Sequence, residues 1–137
     1  MQIVFYGQGS ATGGVTLTFN SDTATHYAFN GSYQNNTSSP APNGAVSQAS
    51  CPAAFVGTSV ASSSIMDIPF YATTAFGKIM TLRYGTISSL SSGTDNYDQQ
   101  RTCGWDDGSH SAITSITFTA ASGHLIAGTQ FMILVQD

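Results

Sequence analysis

Hydrophobic and polar residues alternate along much of this chain, with the period of two that strands buried on one face require. Val15, Leu17 and Phe19 share one face of a run whose other face is Thr16 and Thr18. His26-Tyr27-Ala28-Phe29 reads as a second strand, closed by Asn30-Gly31, a dipeptide suited to a tight hairpin turn. In the stretch SSIMDIPFY, Met66, Ile68 and Phe70 fall on one face and Ile65, Asp67, Pro69 and Tyr71 on the other. Met80, Leu82 and Tyr84 point inward in the next run, with Thr81 and Arg83 opposite. Thr114, Ile116 and Phe118 repeat the pattern against Ser115, Thr117 and Thr119. The run FMILV, residues 131–135, has no polar face and is therefore predicted to be a central strand buried on both sides. Pro69 lacks an amide donor and marks its strand as an edge, or as bulged there. Asp67 and Lys78 then read as solvent-facing neighbours that discourage edge-to-edge pairing.

Three polar stretches separate these runs. Residues 7–14 (GQGSATGG) form a flexible loop, and residues 30–50 and 88–110 are long and without clear periodicity. Loops of that length in a compact domain are usually functional or ordered by a partner. No internal repeat is visible and nothing divides the chain, so a single domain over residues 1–137 is expected.

Composition sharpens the fold class. The chain contains no glutamate, one lysine and two arginines, whereas Ser and Thr number 36 of 137 residues. The usual helix formers are nearly missing, and the β-branched and aromatic residues on short runs are strand material. The expectation is an all-β, jelly-roll-like antiparallel β-sandwich. Three basic residues in a chain of net charge −4 cannot neutralise a useful number of phosphates, which argues against nucleic acid as a partner. The longest apolar run is far short of a membrane-spanning helix, so no membrane partner is expected. The N-terminus has neither the charged segment nor the apolar segment of a secretion signal, and synthesis in a bacterial cytosol is the expectation.

Candidate chemistry is sparse. GQGSATGG lacks the Gly-Lys-Ser/Thr that a phosphate-binding loop needs, and no helix-forming segment follows it. His26, His110 and His124 are dispersed and none sits in a metal-ligand spacing. A metal site would have to be assembled in three dimensions from Asp106, Asp107 and His110. The Trp105-Asp106-Asp107-Gly108 sequence lacks a third oxygen ligand and reads better as a turn capped by Asp side chains. There is no GxSxG, and the carboxylate pairs Asp106-Asp107 and Asp95/Asp98 lie in turn-like sequence with no apolar surroundings to raise a pKa. Neither an enzyme nor a bound cofactor or metal is expected. Tyr97 and Trp105, in a long polar stretch beside Asp106 and Asp107, suit sugar stacking or a protein contact; the opposing reading packs Trp105 under its own loop. Cys51 and Cys103 lie 52 positions apart in no metal or redox motif, and free, partly buried thiols are favoured over a bridge.

The second half of the chain carries a resemblance. Asp67, Ile68, Pro69 and Tyr71, then Lys78, Trp105, Ala112, Ile113, Ser115, Ile116, Gly128 and Thr129 follow a segment order that resembles small jelly-roll virion proteins of tailed bacteriophages. The match runs over residues 63–135 and leaves the first half unmatched. The resemblance implies a virion structural protein made in the host cytoplasm, without catalytic residues. Its expected role is a decoration or cement protein bound to the major capsid protein or other virion proteins. The alternative is a receptor-binding or carbohydrate-binding module of a tail fibre, with a glycan as partner. Because MQIVFYG and FMILVQD, at the two ends of the sequence, are both apolar, a symmetric homotrimer that covers them is the expected assembly.

Overall fold

The computed structural model describes residues 1–35, 39–58, 61–87 and 97–135, with the backbone alone at Asn35, Ile87 and Tyr97. Among them the chain forms ten strands: β1 (Gln2–Gly7), β2 (Gly13–Phe19), β3 (Tyr27–Asn35), β4 (Ala41–Gln48), β5 (Cys51–Val56), β6 (Ala61–Asp67), β7 (Lys78–Ile87), β8 (Tyr97–Trp105), β9 (Ile116–Ala120) and β10 (Gln130–Leu134). Seven make one sheet in the order β10-β1-β6-β7-β8-β3-β4, and three make a second in the order β5-β2-β9. Each of these pairings is antiparallel. The first three strands pair with the last three in nested order, β1 with β10, β2 with β9 and β3 with β8, as in a long hairpin wrapped into a jelly-roll-like sandwich. The expected all-β antiparallel class is what the chain adopts.

The core lies between the sheets and is built from the inward set of each strand. Val15, Leu17 and Phe19 of β2 descend from the small sheet onto Ile3 and Phe5 of β1, Met66 of β6 and Met80, Leu82 and Tyr84 of β7, all at most 4 % exposed. Burying a side chain of this size contributes about 1.5–3 kcal/mol, so these positions dominate the stabilisation. Cys51 opens β5 and Cys103 lies in β8, and the two form a disulfide across the core, with Cα atoms 6.1 Å apart. The preference for free thiols is therefore corrected. Both cysteines occupy inward positions on facing strands, and a buried thiol and half of a bridge leave the same local pattern in a sequence.

Other expectations fail where strand order, rather than local pattern, decides. Asn30-Gly31 is not a turn, because β3 runs straight through it. Gly31 is opposite Arg101, where an added Cβ would overlap the Gln100 carbonyl oxygen and lie 2.8 Å from Arg101 Cα. Glycine here serves close strand approach, not a bend. Much of 30–50 is the β3–β4 hairpin, and 97–105 is β8, while 88–96 lies outside the described residues. β6 is an inner strand between β1 and β7, and Pro69 falls beyond its end. Phe70 leaves the inward face altogether: it turns outward at φ 52°, 70 % exposed. Lys78 is buried, not solvent-facing. The run FMILV, finally, forms an edge and not a central strand, since β10 pairs with β1 alone among the described strands.

Candidate functional site

Trp105, the most prominent of the expected contact residues, closes β8 inside the core at 2 % exposure. Its ring is 5.5 Å from that of Phe19 and stacks on Tyr27 at 6.3 Å between centroids. Its indole Nε1–H donates to Asp22 Oδ2 at 2.7 Å. That carboxylate also meets His26 Nδ1 at 2.8 Å and accepts the Ala24 amide at 2.9 Å. Burial alone would raise the Asp22 carboxyl, but the bonds from Trp105, His26 and Ala24 outweigh it and hold the pKa below its ordinary 3.8. Tyr27 is pushed up to about 12, first by burial and then by the nearby Asp22 charge. This end of the sandwich is a closed polar network, and it leaves Trp105 no open ring face for a sugar. Tyr97 opens β8 opposite Thr86 and Asn35; its side chain lies outside the described residues.

Asp106 and Asp107 serve their own loop. Asp106 Oδ1 accepts the Gly108 amide at 2.8 Å, and Asp107 Oδ1 accepts the Ser109 and Ser111 amides at 3.0 and 3.1 Å. The Ser111 hydroxyl, with these amides, lowers the Asp107 pKa. His110 Nε2 lies 3.5 Å from Asp106 Oδ2. Among the described residues no three His, Cys, Asp or Glu side chains gather as metal ligands. Lys78 Nζ donates to the carbonyls of Phe76 and His110 at 3.0 and 3.1 Å, tying this loop to the one after β6. Ser10 Oγ lies 3.2 Å from His124 Nδ1 but also accepts the His124 amide at 3.0 Å, so the pair links two loops as a brace would. Of the second carboxylate pair, Asp98 meets Arg83 at 3.2 Å on an exposed surface, and Asp95 lies outside the described residues.

The feature that local pattern did not expose is the difference between the two pairs of sheet edges. At the end of each strand order opposite β10 and β9, the edges are β4 and β5. Each carries a proline, Pro42 and Pro52, and each is paired through a register irregularity, near Phe29 and Thr16 respectively. Prolines and bulges are devices that keep an edge from pairing with another chain. At the other end the edges are β9 and β10, held near each other by Phe118 and Phe131, whose rings are 4.6 Å apart. Here ITFTA and QFMIL contain no proline and no charge, and their pairings with β2 and β1 are unbroken. The residues 131–135 are each 42–57 % exposed. A groove of about 430 Å³ opens between the two edges, walled by Tyr71, Ile113, Ile116, Phe118, Phe131 and Ile133.

Among the described residues β9 and β10 each pair on one side only, so this side presents strand edges flanked by apolar side chains, which suits addition of a strand. No helix among the described residues is long and apolar enough to cross a membrane. The chain matches no protein-family model, and no match to it was found among curated proteins or solved structures.

Proposed function

We propose that the protein is a structural component of a bacteriophage virion, a decoration or cement protein that stabilises the head by binding across junctions between capsid subunits. The observation that carries this reading is the unprotected β10 edge, apolar on both faces. Monomeric proteins avoid such an edge, because it recruits other strands. A protein that works by being incorporated into an assembly requires one. The resemblance of residues 63–135 to small jelly-roll virion proteins supplies the class of assembly, and the low charge of the chain limits repulsion between crowded copies. Stabilisation then follows from mass action: a ligand of the folded, assembled state at about 100 times its Kd adds about 2.7 kcal/mol. The glycan-binding alternative rested on Trp105 and Tyr97, and the burial of Trp105 removes its main support.

Immunogold labelling of purified particles tests the reading. Label distributed over the head is expected. Label confined to the tail tip, or none on particles, would overturn it.

A further inference from the structure

We propose that β10 pairs antiparallel with β10 of a second copy about a two-fold axis, joining the two seven-stranded sheets edge to edge. This rests on reading the β9–β10 side as an assembly surface; it assigns the β10 backbone edge to a second copy and leaves the β9 edge for the particle.

The register argues for self-pairing. An axis through Met132 sets that residue against its own copy, Phe131 against Ile133, and Gln130 against Leu134. Phe131 and Ile133 lie on the inner face, opposite Phe5 and Ile3, while Met132 and Leu134 lie on the outer face, opposite Val4 and Gln2. Two-fold pairing keeps inner face with inner face. The cross-strand neighbours are then an aromatic and a β-branched residue, a favourable pair, and no charge is buried. The incoming Phe131 and Ile133 also lie at the mouth of the groove between β9 and β10 and extend its apolar wall.

The other edges argue against a different symmetry. A ring or filament through the large sheet would need β10 of one copy to join β4 of the next. β4 carries Pro42, which donates no amide, and its pairing with β3 is irregular. A two-fold contact uses the one unprotected edge of the large sheet twice and closes. The threefold expectation assumed that both terminal runs need cover, yet β1 is an inner strand with Ile3 and Phe5 fully buried. Of the two terminal runs, it is β10 that is left to be covered.

The area is sufficient. Five side chains about half exposed present on the order of 450 Å² per copy, taking roughly 150–200 Å² for each when fully exposed. Two copies with the adjoining groove walls and strand backbones reach at most about 1,200 Å², the lower end of stable interfaces.

Light scattering coupled to size exclusion on the full chain, at about 50 μM, should give twice the 14.3 kDa chain mass. Ile133→Lys puts two like charges across the axis and should weaken self-association at least a hundredfold, with circular dichroism unchanged. Met132→Cys should form a covalent dimer under mild oxidation, because the axis sets the two thiols side by side. A monomeric or trimeric wild-type mass overturns the pairing, as does a dimer that Ile133→Lys leaves intact. Particle binding separates this from the broader reading: a monomeric wild type that decorates heads defeats only the pairing, whereas a dimer that ignores particles defeats only the virion role.

Discussion

The Cys51–Cys103 bridge should be the largest single contribution to the stability of the isolated chain. It joins β5 of the small sheet to β8 of the large one, closing a loop of 52 residues. Cross-linking a loop of that length removes unfolded-state entropy worth about 4 kcal/mol at 25 °C. Residual compaction of the unfolded chain lowers the measured figure, so a loss of about 2–4 kcal/mol on reduction is expected. At this chain length that corresponds to roughly 8–15 °C in Tm. The native contacts change little, because both sulfurs sit in the core at 0 and 2 % exposure and two thiols occupy nearly the same space.

The clean comparison is urea unfolding of the same protein with and without a reductant, followed by tryptophan fluorescence of Trp105. The midpoint should fall and the m-value should rise as the reduced chain expands further on unfolding. The double variant Cys51→Ala/Cys103→Ala should behave like the reduced protein, with a further small loss from the cavity. Two titratable thiols per chain in the unreduced, urea-unfolded protein, or a difference below about 1 kcal/mol, would refute the reasoning.

Lys78→Met should cost about 2–3 kcal/mol in chemical denaturation, because the Phe76 and His110 carbonyls lose a charged donor in a site 2 % exposed; an unchanged midpoint would show that the buried ammonium contributes nothing net. Gly31→Ala should cost about 3 kcal/mol or more by the same assay, since the new methyl meets backbone of β8 that has no room to move. Tm followed against pH should fall at both extremes. Asp22 and Asp107 have lowered folded-state values, so their contribution is present above pH 3.8 and is lost as pH drops below it. Tyr27 is raised from 10.0 to about 12, so its contribution is present below pH 10 and is lost as pH climbs through 12; Asp22→Asn should flatten the acid limb, and Tyr27→Phe the alkaline one.

Local pattern revealed the core wherever one face of a strand is buried and the other wet. Val15, Leu17 and Phe19, and likewise Met80, Leu82 and Tyr84, are inward because a one-residue slip would expose them all. The same logic is blind to which strand lies next to which. Pro69 suggested an edge, but it stands past the end of β6, while Pro42 and Pro52 are the prolines on true edges. Lys78 reads as solvent-facing from its neighbours in sequence, yet its amine is held by the Phe76 carbonyl two residues back and by the His110 carbonyl 32 residues on. The Trp105–Asp22 bond and the disulfide span 83 and 52 positions, distances over which no periodicity carries information.

FMILV is the instructive failure. Apolar side chains on both faces belong to a strand with a neighbour on each side, and that is why the run reads as central. Among the described residues β10 has a neighbour on one side only, β1, and five apolar side chains are left about half exposed. The other terminal strand, with a similar composition, has neighbours on both sides and buries its inward residues fully. On the proposed pairing, the missing neighbour comes from a second copy. At roughly 25 cal/mol per Å², about 450 Å² of uncovered apolar surface forgoes on the order of 11 kcal/mol per copy before the costs of association. A protected edge would have needed only one lysine or proline in β10, as the opposite edges have in Pro42 and Pro52. Its omission from the edge whose side chains are apolar on both faces is the physical case for reading β10 as a strand made for another chain.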